Sequence, residues 1–194
     1  MGHEMNGGHY PWAKGSPDQY IGLYKMARDK IRAVLPDAVM CWNPLRGSNK
    51  TMWWPGDTVV DCVGVDWYNN GSGEVGGFIN TPADWNAAYM KGTEDEPIGW
   101  GQWVKFCDNH GKMLCVPEWG AGHGASTAAA DPSQDTPDYV DLFKTFCVTQ
   151  SAAGKFMFET YFNNASHQIN PQPAPFAPNF ELSYFGKWSG KPHV

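Results

Sequence analysis

At 194 residues, 42 % of them apolar, the chain has material for one domain with a sizeable core. Its net charge of −6, with Lys and Arg scattered, excludes the basic stripe by which a protein grips nucleic acid. No apolar run approaches the ~18 residues of a membrane span, and ten Trp within a 14 % aromatic fraction point toward flat ligand faces such as sugar rings.

The first residues, MGHEMNGGHYPW, carry neither the basic nor the apolar part of a secretory leader. A strand stub is expected to end near His3-Glu4. Helical spacing of apolar residues then covers 17–35, and a short buried strand follows at 38–43. A second strand is predicted over 59–68, a helix over 98–109, and a third strand over 112–119. A helix over 137–152 and a strand over 155–162 complete the alternation. Continuous β-rich runs alternating with amphipathic helices indicate a parallel α/β sheet with both faces covered.

The stretches after the strands are long and rich in Gly, Asn, Pro and Trp, whereas those before them are short. That asymmetry belongs to a barrel whose site lies at the C-terminal ends of its strands. No GxGxxG opens a helix after a strand, and the glycine-rich runs 71–77 and 120–124 are not followed directly by a helical pattern. Phosphate cradling is therefore not expected. About five strands can be counted, where a closed (β/α)8 barrel needs eight and ~250 residues. The expectation is a partial TIM barrel, about strands 4 to 8, with residues 1–194 forming one catalytic domain truncated at its N-terminus. Such a piece leaves sheet edges and half an interior uncovered, so self-association is expected.

The five cysteines are Cys41, Cys62, Cys107, Cys115 and Cys147. Three fall in predicted strands and two in predicted helices. An odd count in core-like settings, without a CxxC pair, favours buried free thiols over a disulfide framework or a zinc-cysteine site.

Two carboxylates stand out. Glu118 ends an apolar strand, where an idle charge is costly. Glu4 lies in His-Glu-Met-Asn-Gly-Gly, just before Tyr10 and Trp12. They are 114 residues apart, and three βα units at ~31 residues each span roughly 94 before long loops are added. Retaining glycosidases need two carboxyls ~5–5.5 Å apart, one protonating the leaving oxygen and one attacking the anomeric carbon. The zinc pattern HExxH fails, because Gly7 stands where its second His belongs and His9 comes two residues late.

At these residues the chain resembles glycoside hydrolase family 26, which includes the β-mannanases within a clan of retaining (β/α)8 enzymes. The run His3-Glu4-Met5-Asn6-Gly7, followed by Tyr10-Pro11-Trp12, is similar to that family's acid/base strand. His3 precedes the Glu, where many clan relatives carry Asn. Trp54-Pro55-Gly56-Asp57 leading into Val60 through Asn69 resembles the approach to strand 6. Pro117-Glu118-Trp119-Gly120 is similar to the nucleophile strand, although Phe is more usual after the Glu.

The resemblance implies Glu4 as acid/base and Glu118 as nucleophile, with catalytic Glu on strands 4 and 7. It implies that His3 binds sugar at the reacting subsite, that Tyr68 hydrogen-bonds and positions the nucleophile, and that Trp12 lines the sugar-binding wall. His9 falls where mannanases tend to carry an aromatic, and His9 and Trp119 are counted among the substrate-binding residues. By themselves, Trp67 and Tyr68 read equally well as core residues. Trp53, Trp54, Trp85, Trp100 and Trp103 read as packing. The resemblance further implies a polysaccharide substrate, no cofactor or metal, no nucleic-acid partner, and a full-length protein that is secreted or at the cell surface. Glu118 should be ionised, and Glu4 should hold its proton until the covalent intermediate forms.

Overall fold

The computed structural model describes residues 2–46, 50–69, 77–121 and 136–162. Helix α1 (Pro17–Arg32) starts where Ser16 forms a capping box, its hydroxyl accepting from the Gln19 backbone while the Gln19 side chain accepts from the Ser16 N–H. Pro17 at the first helical position, Asp18 in the first turn, and Lys30 and Arg32 in the last suit the helix dipole. The helix buries Tyr20 and Tyr24 and leads to the short strand β1 (Cys41–Trp42).

The strand predicted over 59–68 arrives in two pieces, β2 (Cys62–Gly64) and β3 (Trp67–Asn69). Both run parallel to one long partner, β4 (Met113–Ala121). Cys62 lies opposite Met113 at one end, and Trp67 lies opposite Trp119 at the other. They form one rail interrupted at Val65-Asp66, where the Val65 N–H still donates to the Cys115 carbonyl at 3.1 Å. On the outer sides, β1 pairs with β2 and β5 (Phe156–Tyr161) pairs with β4, again in parallel. Helices α2 (Pro82–Tyr89) and α3 (Trp100–His110) precede β4, and α4 (Pro137–Ala152) precedes β5. Among the described residues these make four parallel rails in chain order, the layout of repeated βα units.

Helix α2 falls in a stretch read from sequence as loop. Its start is nonetheless written in Thr81-Pro82-Ala83-Asp84: the Asp84 N–H donates to Thr81 Oγ1 at 3.2 Å, and the Thr81 N–H donates to Asp84 Oδ2 at 2.9 Å. The expected stub at His3-Glu4 is not a strand. Glu4 sits in the left-handed region with φ 51° and ψ 35°, and a 3-10 turn follows at Met5–Gly7. One backbone bond, from the Glu4 N–H to the Asn43 carbonyl at 2.7 Å, sets this segment beside the end of β1. Most of the glycine-rich runs, residues 71–76 and 122–124, lie outside the described residues.

Most of the Trp goes into the core. Trp42, Trp67, Trp100, Trp103 and Trp119 are wholly buried. Trp67 stacks on Trp100 at 4.2 Å, and Trp119 packs on Phe143 at 4.5 Å. Trp85, Trp100 and Trp103 are packing residues, as expected. All five cysteines are free thiols; Cys41 is half-buried and the other four are buried. Exposed apolar side chains gather on α1 (Leu23, Met26), just after it (Val34, Leu35) and on β5 (Met157, Phe158). Among the described residues, no helix is long and apolar enough to cross a membrane.

Candidate active site

Side chains two apart on a strand share a face, so Asp66 and Tyr68 point the same way from the broken rail. Asn43, just past β1, and Glu118, near the end of β4, converge on them. Tyr68 Oη donates to Glu118 Oε2 at 2.6 Å. Asn43 Nδ2 donates to both carboxylate oxygens of Asp66, each at 3.0 Å. A ring nitrogen of His3, an oxygen of Asp66 and an oxygen of Glu118 all lie within 4.8 Å of one another. Tyr68 and Glu118 are half-buried, whereas Asp66 is only 4 % exposed.

The N-terminal segment is tied to this group by its own polar side chains. Asn6 clamps the backbone of Leu45, donating to its carbonyl at 3.0 Å and accepting from its N–H at 2.8 Å. Trp12 Nε1 donates to the His3 carbonyl at 2.8 Å, and Tyr20 Oη donates to the Gly2 carbonyl at 3.2 Å. The rings of Tyr10 and Trp12 stack at 4.7 Å with 12° between their planes, and His3 lies 4.8 Å from Tyr10. Glu4, at the turn between these anchors, is the one non-glycine residue of positive φ among the described residues. An L residue held there is strained, a condition that clusters at functional sites.

The carboxyl groups do not share one electrostatic state. Burial raises the pKa of Glu4; His3 opposes the shift and the negative Glu118 adds to it. Burial also pushes Asp66 up to about 8, against the hydrogen bonds from Asn43, with Glu118 and Glu4 contributing in the same upward direction. Tyr68 is driven well above the usual phenol range by burial and by its bond to Glu118, so it remains a donor. In this cluster Glu118 accepts from a phenol, while the carboxyls of Glu4 and Asp66 are biased toward their protonated forms.

Of the residues singled out in the sequence, the structure brings Glu4, His3, Tyr68 and Glu118 to one place. Trp12 stands half-buried beside His3, with Tyr10 stacked on it. His9 is exposed on the adjoining turn. Trp119 departs from expectation: it has no exposed surface, packs among Tyr139, Phe143 and Tyr161, and donates its indole N–H to Glu159. As the residue next to Glu118 on the same strand, it points to the opposite face of the sheet, toward the helix layer. Sequence reasoning missed Asp66 and Asn43. Period-two spacing from Tyr68 was the available signal for Asp66; Asn43 offered none beyond its place at a strand end.

Two groups among the described residues have side chains spaced to hold a metal ion, His3 with Asp66 and Glu118, and Cys41 with Cys62 and Cys115. In the first, Glu118 already receives Tyr68 and Asp66 already receives Asn43.

Comparison with known proteins gives the likeness a frame. Residues 1–95 match the model of glycosyl hydrolase family 26. Over 73 residues the chain is 32 % identical to a mannan endo-1,4-β-mannosidase of Thermothelomyces thermophilus, a stretch covering 37 % of this chain and 14 % of that protein. A modular endo-β-1,4-mannanase from Cellulomonas fimi superimposes with a TM-score of 0.62 at 23 % identity, over 95 % of this chain and 39 % of that one. The catalytic domain of the Bacillus sp. JAMB-750 endo-β-1,4-mannanase gives 0.58 at 18 % identity, over 94 % and 48 %. The chain therefore spans less than half the length of these relatives. The structural likeness shows the fold: the parallel rails and their helices form part of the relatives' (β/α)8 barrel, as the alternation of elements predicts.

Proposed function

We propose that this chain is a member of glycosyl hydrolase family 26, whose model residues 1–95 match, and is the part of a retaining glycosidase that carries both catalytic carboxyls and acts on a mannan-like polysaccharide. Glu118 is the nucleophile and Glu4 the acid/base. The observation that carries the reading is the Tyr68–Glu118 bond of 2.6 Å beside a Glu4 biased toward its protonated form. One carboxylate is oriented for attack while the other holds a proton to give.

In the first step Glu118 attacks the anomeric carbon as the glycosidic C–O bond breaks, and Glu4 passes its proton to the departing oxygen. The sugar is then held as an ester on Glu118. In the second step Glu4, now ionised, takes a proton from water while that water displaces Glu118, and the anomeric configuration is restored. Consuming the charge on Glu118 removes one reason for Glu4 to stay protonated, so the same side chain serves as acid and then as base. Tyr68 holds the attacking oxygen, and the Tyr10–Trp12 stack offers an apolar face to a sugar ring. Asp66, kept neutral near pH 7, adds no second negative charge against Glu118.

The mannanase activity of the relatives supports a β-1,4-mannan as substrate, and because such a polymer cannot enter a cell we infer that the full-length enzyme acts outside it. Assays on mannan, xylan and mixed β-glucan test the class. Release of reducing sugar from mannan, lost in Glu118→Ala, is expected; retained hydrolysis by that variant would sink the assignment.

A further inference from the structure

Below the carboxyl cluster, three thiols from three strands meet at one point. Cys41 (β1), Cys62 (β2) and Cys115 (β4) have all their sulfurs within 4.8 Å of one another. Cys41 Sγ lies 3.6 Å from Cys115 Sγ, which lies 4.0 Å from Cys62 Sγ. Cys62 and Cys115 have no exposed surface, while Cys41 is half-buried.

The convergence is built into the backbone. Cys41 and Cys62 are direct register partners, and Gly64 is the register partner of Cys115. A Cβ at Gly64 would stand 2.8 Å from Cys41 Sγ and 2.9 Å from Pro117 Cγ, so only glycine leaves Cys41 room to lean toward Cys115. Strands β1 and β4 are not neighbours, β2 lying between them, so Cys41 and Cys115 meet only because both side chains lean across the strand that carries Cys62. Thiols are weak hydrogen-bond donors, and three of them gain little from one another alone.

We propose that Cys41, Cys62 and Cys115 form a binding site for one thiophilic divalent cation of the Zn(II) class, separate from the carboxyl site. Three thiolates at a metal–sulfur distance of ~2.3 Å around a tetrahedral ion stand ~3.8 Å apart, and the sulfurs here need to move by less than 1 Å to reach that spacing. A water molecule would complete the fourth position of the shell. Binding displaces the three thiol protons to solvent. The divalent ion leaves a net charge of one negative, whereas a monovalent ion such as Cu(I) would leave two inside the sheet, a larger burial penalty. Soft thiolate donors favour such an ion over Mg(II) or Ca(II).

The test loads the purified, reduced chain with Zn(II), removes loosely held metal by gel filtration against a weak chelator, and measures zinc and free thiols. One zinc per chain is expected, with a thiolate-to-metal charge-transfer band when Co(II) takes its place, and with Cys41, the one of the three thiols not fully buried, protected from alkylation while the reactivity of Cys107 and Cys147 is unchanged by metal. Cys41→Ser should lose the retained zinc, and Cys147→Ser should keep it. Because a Ser in the sheet can disturb folding, alkylation mapping of the unaltered chain with and without zinc stands as an independent measure. Absence of stoichiometric zinc, equal protection of all five cysteines, or retention of Cu(I) but not Zn(II) would overturn the proposal.

Discussion

Asp66→Asn should make the chain more stable, increasingly so as the pH rises. Folded Asp66 holds its proton up to about pH 8, whereas in the unfolded chain it ionises near 3.8. Between those values the folded state binds one proton more than the unfolded state. The contribution of this group is therefore fully present below about pH 4 and is lost as the pH climbs toward 8, at ~1.4 kcal/mol per pH unit. The variant has no such proton. Its advantage in unfolding free energy over the parent should grow by roughly 4 kcal/mol between pH 5 and pH 8. Changes in hydrogen bonding to Asn43, worth about 1 kcal/mol, enter as a constant offset and leave that slope untouched. Urea unfolding of both chains, followed by Trp fluorescence across that pH range, measures the difference directly. Parallel stability curves would refute the reasoning.

Tyr68→Phe removes a hydrogen bond to a charged group worth about 1.5–3 kcal/mol, so kcat/KM on mannan oligosaccharides should fall about tenfold to 150-fold; a fall below threefold would show that the phenol does not serve Glu118. Trp119→Ala should destabilise the chain by about 3–5 kcal/mol in denaturant unfolding, because its wholly buried indole packs on Phe143. A rise in KM with stability unchanged would return Trp119 to the substrate site. Gly64→Ala should destabilise by about 1–3 kcal/mol, since its methyl would press on Cys41 and Pro117; calorimetric melting checks it. Sedimentation at micromolar concentration should show self-association through the exposed Leu23, Met26, Met157 and Phe158. A monodisperse monomer would contradict that.

The fold was legible where sequence period and end chemistry agree. Residues 137–152 carry a Pro-led amphipathic pattern, and α4 has those limits. The β4 rail was evident from its apolar run. Helix α2 was not, because eight residues show no stripe and its only signature is the Thr81–Asp84 box. The interruption of the second rail at Val65-Asp66 was equally hidden, since an unbroken VVDCVGVDWY reads as one strand.

At the site, Tyr68 and Glu118 were within reach because both end strands, and Glu4 because its neighbours form a motif. Trp119 misled because sequence adjacency to Glu118 suggested a shared site, whereas alternation along β4 sends the residue after Glu118 to the opposite face and into the helix layer. Asp66 was passed over because a carboxylate two residues before a tyrosine has no meaning until its burial and its Asn43 partner are seen.

The division of labour between Glu118 and Glu4 is tested most directly by trapping the covalent intermediate. The chain is incubated with an activated 2-deoxy-2-fluoro mannoside, digested, and the labelled residue located by mass spectrometry. An ester on Glu118 is predicted, formed also in Glu4→Gln when the leaving group needs no proton, and absent in Glu118→Gln. A label on any other residue, or none on a chain that hydrolyses mannan, would contradict it.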